Sequence, residues 1–204
     1  MDEIKTISSI EFNVINSEHP FQRKLLVKDY CLTLILYLIK DVKGIYFKGG
    51  TAINKIFLNH ARLSEDLDFS LTRDEKEVKY EISKILINSG FIKEVTEGKN
   101  VDGFLRMILK CKSELGDSEI FIDLNQRAKL ALPSETHKVN HFYVPFIPEF
   151  SIKTVAEEEL ELYLALVEEL VEESGHEMVE IAAAVALLAR QDKPLEAVAV
   201  EPEP

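Results

Sequence analysis

Asp66 and Asp68 stand at i and i+2 in the segment Ser64-Glu65-Asp66-Leu67-Asp68-Phe69. On a strand that spacing projects both side chains from one face. Two carboxylates held together are costly unless a cation lies between them. Upstream stands Lys48-Gly49-Gly50-Thr51-Ala52, at the predicted start of a helix. Glycine lets the backbone approach an anion closely, and a helix N-terminus adds partial positive charge. Gly49 and Gly50 would thus offer N–H groups to a bound phosphate, and Thr51 a hydroxyl. Ser64 would support the phosphate or the acidic pair; the alternative for Thr51 and Ser64 is local capping. Lys48 and Arg62 flank the pair and can balance phosphate charge. A phosphate cradle beside paired carboxylates is the equipment of metal-assisted phosphoryl or nucleotidyl transfer.

The elements that must position these groups are readable from periodicity. Residues 1–19 read as a frayed arm or short helix. Residues 22–40 carry apolar side chains at helical spacing, ended by Gly44. Ile45-Tyr46-Phe47 reads as a strand entering the Gly-Gly turn, 51–59 as a helix and 66–71 as a strand. Residues 74–88 form an amphipathic helix closed by Ser89-Gly90. Strands follow at 91–96, 104–111 and 119–124, then a further short strand at 140–146. Asp123 lies in the apolar run Ile120-Phe121-Ile122-Asp123-Leu124, where a charge requires a partner. Arg106 and Lys110, on one predicted strand, are further candidates to face the cleft, with Lys153 a weaker one. The five histidines lack zinc-type spacing and are read as loop or surface residues.

Phe47 to Leu71 resembles the AbiEii/AbiGii-type nucleotidyltransferase toxins, a branch of the DNA polymerase β-like nucleotidyltransferase superfamily. That branch reads Lys-Gly-Gly-Thr-Ala, then Arg-x-Ser-x-Asp-x-Asp-Phe, matched here by Lys48 to Ala52 and by Arg62 to Phe69. The resemblance covers residues 20–153 and implies an α+β nucleotidyltransferase fold, a mixed sheet flanked by helices. It also implies that Asp66, Asp68 and a third carboxylate, Asp123, hold Mg²⁺ or Mn²⁺. The implied reaction moves a nucleoside monophosphate from an NTP to an acceptor such as tRNA or another RNA. The implied setting is the toxin of a toxin–antitoxin or phage-defence pair, with a cognate antitoxin as partner.

Residues 154–204 differ in texture. They hold 14 Asp+Glu against 2 Lys+Arg, so the net charge of −12 belongs wholly to this end. The front part is neutral, and its charge does not argue against a nucleic-acid partner. We expect residues 1–153 to be the nucleotidyltransferase domain and 154–204 an acidic helical segment with a mobile tail, atypical for the family. The family's helix begins with a Glu-Glu pair, which Glu157-Glu158 fits, but its essential Lys falls on Tyr163. Arg190 and Asp192 do not reproduce its later Arg-Asp pair. Glu180 to Val198 instead resembles a C-terminal segment of DEAD-box RNA helicases. These departures keep open a nucleotide-binding or interaction module without turnover. A small-molecule nucleotidyltransferase with an acidic acceptor pocket is another alternative. The apolar stripe of the C-terminal helices suits self-association or, alternatively, simple packing of one helix onto the front domain. Without a leader or a spanning apolar run, a cytoplasmic protein without membrane contact is expected, with Cys31 and Cys111 as buried free thiols.

Overall fold

A computed structural model describes residues 4–155 apart from 20, 59, 61, 62, 64, 112, 113 and 127–133. Arg62 and Ser64, and the segment from residue 156 onward with Glu157, Glu158, Tyr163, Arg190 and Asp192, lie outside the described residues.

The chain is α+β. Its elements are α1 (Ser9–Glu18), α2 (Arg23–Ile39), β1 (Ile45–Lys48), α3 (Gly49–Ile56), β2 (Asp66–Leu71), α4 (Glu75–Asn88), β3 (Ile92–Val101), β4 (Phe104–Cys111), β5 (Ser118–Asn125), β6 (Ser134–Lys138) and β7 (Ser151–Val155). The strands form one mixed sheet in the order β3-β4-β5-β2-β1-β7-β6. β2 pairs parallel to β5, and β1 parallel to β7; the other pairings are antiparallel.

Local chemistry explains the helix ends. Ser8 and Glu11 form a reciprocal capping box at α1. The Asp74 side chain accepts from the N–H groups of Lys76 and Glu77, and Glu75 and Glu77 favour the positive end of α4. Alternation along the central strands sorts the two sheet faces. Phe47, Leu67, Phe69, Leu105, Met107, Leu109, Ile120, Ile122 and Leu124 are buried on one face, where α2 and α4 pack. The intervening residues, among them Lys48, Asp66, Asp68, Arg106 and Asp123, point from the other face.

A buried ion pair joins α2 to α3. Lys55 Nζ donates to Asp29 Oδ1 at 2.6 Å and to Thr33 Oγ1 at 2.9 Å, with the two charged side chains 1% and 2% exposed. The Tyr143 hydroxyl lies 2.9 Å from the Leu26 carbonyl and 3.2 Å from Asp29 Oδ2. Such a pair is tolerable in the interior because hydrogen bonds satisfy its remaining valences.

One expectation needs correction. Residues 140–146 form no strand; this stretch turns, with Phe146 N–H donating to the Tyr143 carbonyl at 2.9 Å, while strands form instead at β6 and β7. His60 lies in a turn, as a loop residue would, but it is buried: it is 5% exposed, has φ +63°, and its Nε2 lies 2.9 Å from the Asn140 carbonyl. His141 is also largely enclosed, and burial lowers the pKa of both rings to about 4. Cys31 and Cys111 are, as expected, buried and free. No helix among the described residues is long and apolar enough to cross a membrane.

Candidate active site

Strand register assembles the site. Lys48 on β1 lies opposite Asp68 on β2, Asp68 opposite Asp123 on β5, and Asp123 opposite Arg106 on β4. Four neighbouring strands therefore present one transverse row, Lys48–Asp68–Asp123–Arg106, with Asp66 two residues from Asp68 on the same face. Positive charges occupy both ends and the two carboxylates the middle. Cross-strand neighbours of like charge are unfavourable, and the cost falls on Asp68. Its pKa is pushed up to about 6, by burial first and then by Asp66 and Asp123, against the smaller opposing effects of Lys48 and Arg106.

Asp68 also abuts the turn that opens α3. Gly49 has φ +76°, a left-handed conformation that side chains disfavour. A Cβ there would stand 2.6 Å from Asp68 Oδ2 and 3.1 Å from Asp68 Cβ. Glycine is thus required twice, for backbone angle and for the closeness of the carboxylate. Lys48, the N-cap of α3, makes no side-chain capping bond, so no side chain of the cap residue covers the first N–H groups of the helix. Gly50 is partly accessible, and its carbonyl accepts from Asn54 Nδ2 at 2.8 Å.

Thr51 takes a different part from the one its position suggested. Its side chain is buried, and its hydroxyl donates to the Asp66 carbonyl at 2.7 Å. It fastens α3 to the start of β2, and contact with a phosphate would have to break that bond. Glu65, preceding the acidic pair, is held by Lys28 of α2.

Asp123 is engaged as well. Arg106 Nε donates to Oδ1 at 2.7 Å and Nη2 to Oδ2 at 2.6 Å, a bidentate fork. The same guanidinium lies 5.4 Å from the Phe121 ring centroid. The pairing with Asp123, with Asp66 and Asp68 nearby, raises the Arg106 pKa further. Lys110 is turned to Glu94 at 2.7 Å, and Lys153 is exposed on β7.

Hard carboxylate oxygens on adjacent strands match the donors Mg²⁺ and Mn²⁺ prefer, and the crowding felt by Asp68 is relieved by a cation. The residues present fit such an ion. Among the described residues, however, no three acidic, thiol or imidazole side chains form a ready-made metal cluster. In this structure Arg106 holds both oxygens of Asp123.

Residues 37–160, well over half of the chain, match the family described as nucleotidyl transferase AbiEii toxin, type IV toxin–antitoxin system. The chain belongs to the AbiEii toxin family. The matched span contains the Gly-Gly turn and all five charged residues of the site. Residues 152–199 match a second family, the RNA helicase DeaD dimerization domain. No curated protein matches the chain. Among solved structures, a candidate nucleotidyltransferase from Helicobacter pylori is 17% identical with TM-score 0.40, over 52% of this chain and 47% of that one. JHP933 from Helicobacter pylori is 17% identical with TM-score 0.41, over 52% and 46%. The non-canonical poly(A) polymerase complex GLD-2–GLD-3 is 18% identical with TM-score 0.33, over 60% and 41%. The AbiEii chain described here therefore spans about half the length, or less, of the solved structures it matches.

Sequence reasoning offered Arg106 only as a candidate to face the cleft, without pairing it to Asp123, and did not find the Lys55–Asp29 pair. For Arg106 the usable signal was register: counting along the two predicted strands sets it opposite Asp123. Lys55 and Asp29 gave no local signal beyond being charged residues inside apolar helices.

Proposed function

We propose that this AbiEii-family chain is a metal-dependent nucleotidyltransferase, moving a nucleoside monophosphate from an NTP to an RNA acceptor, a tRNA 3′ end being one candidate. The observation that carries this is the row Lys48–Asp68–Asp123–Arg106 set against the Gly49 turn. A bound divalent ion would supply charge neutralisation on the triphosphate and a lowered pKa for the attacking hydroxyl. Asp66 and Asp68 are the residues that would hold it, joined by Asp123.

This chain's own groups then divide the remaining work. The N–H groups at the start of α3, uncapped by the Lys48 side chain, receive phosphate oxygens. Lys48 and Arg106, at opposite ends of the row, balance charge on the triphosphate and on the departing pyrophosphate. Thr51 and the Lys55–Asp29 pair fix α3, and with it the turn, against β2 and α2. Precise placement of this kind supplies much of the benefit in such reactions. Arg62 and Ser64 are assigned to nucleotide binding by their place in the motif alone.

The setting we infer is a toxin with a cognate antitoxin, acting in phage defence within the cytoplasm. Residues 1–153 would carry the activity. The match of residues 152–199 to a helicase dimerization domain supports a second role, self-association through residues 154–204.

The deciding experiment is pyrophosphate release from each NTP with Mg²⁺ and total RNA, comparing wild type with the Asp66→Ala, Asp68→Ala double variant. Release that disappears in the variant, with label transferred to RNA, is the expected result. Metal-dependent nucleotide binding without release from any NTP would refute turnover and leave a binding module.

A further inference from the structure

The fork between Arg106 and Asp123 is placed oddly for a structural pair. It joins the exposed face of the sheet to the carboxylate that a metal ion would also claim. The Arg106 side chain is 39% exposed, whereas Asp123 is 11% exposed. On the flank away from Asp123, β3 carries a register irregularity between Glu97 and Asn100. It presents Gly98 beside Arg106, where a Cβ would come within 3.4 Å of Arg106 Cγ. The guanidinium is held by Asp123 and Phe121, while its stem runs beside Gly98, where the lack of a side chain leaves room for it to move.

The charges of the site give this freedom a direction. Three carboxylates and two basic groups, Lys48 and Arg106, leave one negative charge on the face. A divalent ion entering between Asp66 and Asp68 competes with Arg106 for Asp123, because both seek the same two oxygens. A triphosphate arriving with the ion offers the displaced guanidinium another set of anionic oxygens, to which a planar fork is equally matched.

We propose that Arg106 is an exchangeable cation: it occupies Asp123 while the site is free of metal and nucleotide, and transfers its fork to the triphosphate when both bind. The inference rests on the nucleotidyltransferase reading and adds to it a coupling. Metal alone binds weakly, since it must displace Arg106, and nucleotide strengthens metal binding by accepting Arg106.

The test uses the full chain with Arg106→Gln and Arg106→Lys, titrated with Mn²⁺ alone by electron paramagnetic resonance and with each NTP in saturating Mn²⁺. Asp68→Asn serves to subtract ions held elsewhere, as on the acidic C-terminal end. Freed of the fork, Arg106→Gln should bind Mn²⁺ about tenfold more tightly without nucleotide and NTP about tenfold more weakly with metal. Arg106→Lys should recover part of the NTP affinity. Unchanged or weakened Mn²⁺ affinity in a folded Arg106→Gln overturns the exchange and makes the pair structural. Should that variant fail to fold, the ¹⁵Nε signal of Arg106 in the wild type decides: a shift on adding Mg²⁺ with NTP is expected, and an unmoved signal overturns the proposal. A wild type that binds no NTP with metal defeats the enzymatic reading itself. A wild type that binds normally, indifferent to Arg106, defeats only the exchange.

Discussion

Replacing Gly49 by Ala tests whether the closeness of the turn to Asp68 is what sets the site, and the molecule contains its own control. Gly49 and Gly90 share φ +76°, so alanine at either position carries the same left-handed strain, about 1–2 kcal/mol. Around Gly90 a Cβ meets nothing within 4 Å. At Gly49 it meets Asp68 Oδ2 at 2.6 Å, Cβ at 3.1 Å and Cγ at 3.2 Å. Rotating the carboxylate would clear the oxygen but not the Cβ, so β2 or the start of α3 must shift. Overpacking of this kind costs about 1–3 kcal/mol beyond the strain. Urea unfolding should therefore show Gly90→Ala destabilised by about 1–2 kcal/mol and Gly49→Ala by about 2–5 kcal/mol. Pyrophosphate release should separate them further. Displacing Asp68 by a fraction of an ångström to one ångström should lower release by about a hundredfold in Gly49→Ala, with Gly90→Ala near wild type. If the two variants lose equal stability and both keep release, the argument from close approach is wrong.

Asp68 is held with its pKa raised to about 6, above its unfolded value. Its ionised form thus weakens the metal-free fold as pH rises through that range. Asp68→Asn should be more stable than wild type by about 2 kcal/mol at pH 8 without divalent ions, yet inactive; equal midpoints in denaturant would contradict the crowding. His60 has the opposite sense: its pKa is depressed to about 4, so the stability tied to the neutral ring is complete above the unfolded value and lost as pH falls toward 4. Up to about 3 kcal/mol should disappear over that window, and His60→Gln should show a flatter dependence of unfolding midpoint on pH. Breaking the buried pair by Lys55→Met or Asp29→Leu alone should cost about 3–5 kcal/mol, while the double replacement regains most of it; additive losses in a double-mutant cycle would show the two groups to be uncoupled.

What the amino-acid order disclosed was what lies close in sequence. Lys48 to Ala52 and Asp66 to Phe69 are contiguous, and the i, i+2 rule puts Asp66 and Asp68 on one face without knowledge of any partner strand. The α4 ends, Asp74 and Ser89-Gly90, were equally legible because capping is local. β6 was not, because Ser134-Glu135-Thr136-His137-Lys138 is a polar edge strand without apolar alternation. The Phe142-Tyr143-Val144 stretch misled in the other direction. Tyr143 is used there as an anchor, reaching Leu26 and Asp29 of α2, and Phe142 packs against the core, while Val144 is exposed. Likewise Thr51 read as a ligand because its hydroxyl stands in a phosphate-binding motif, while only the packed structure shows the Asp66 carbonyl taking it. The Arg106 fork required register, a long-range quantity that no single strand carries.

The sheet has a history written into its order. Every charged member of the row comes from residues 48–123, but the strand that covers the outer edge of β1 is the last among the described residues: Phe47 is aligned with Thr154 of β7. Closing a loop of roughly a hundred residues adds little to equilibrium cost, because that cost grows only logarithmically, but it slows assembly. A chain emerging from the ribosome can therefore pair β1 through β5 and set its four charges in line while β1 still shows an open edge. Until β7 docks, that edge is a surface on which another extended segment could compete with it.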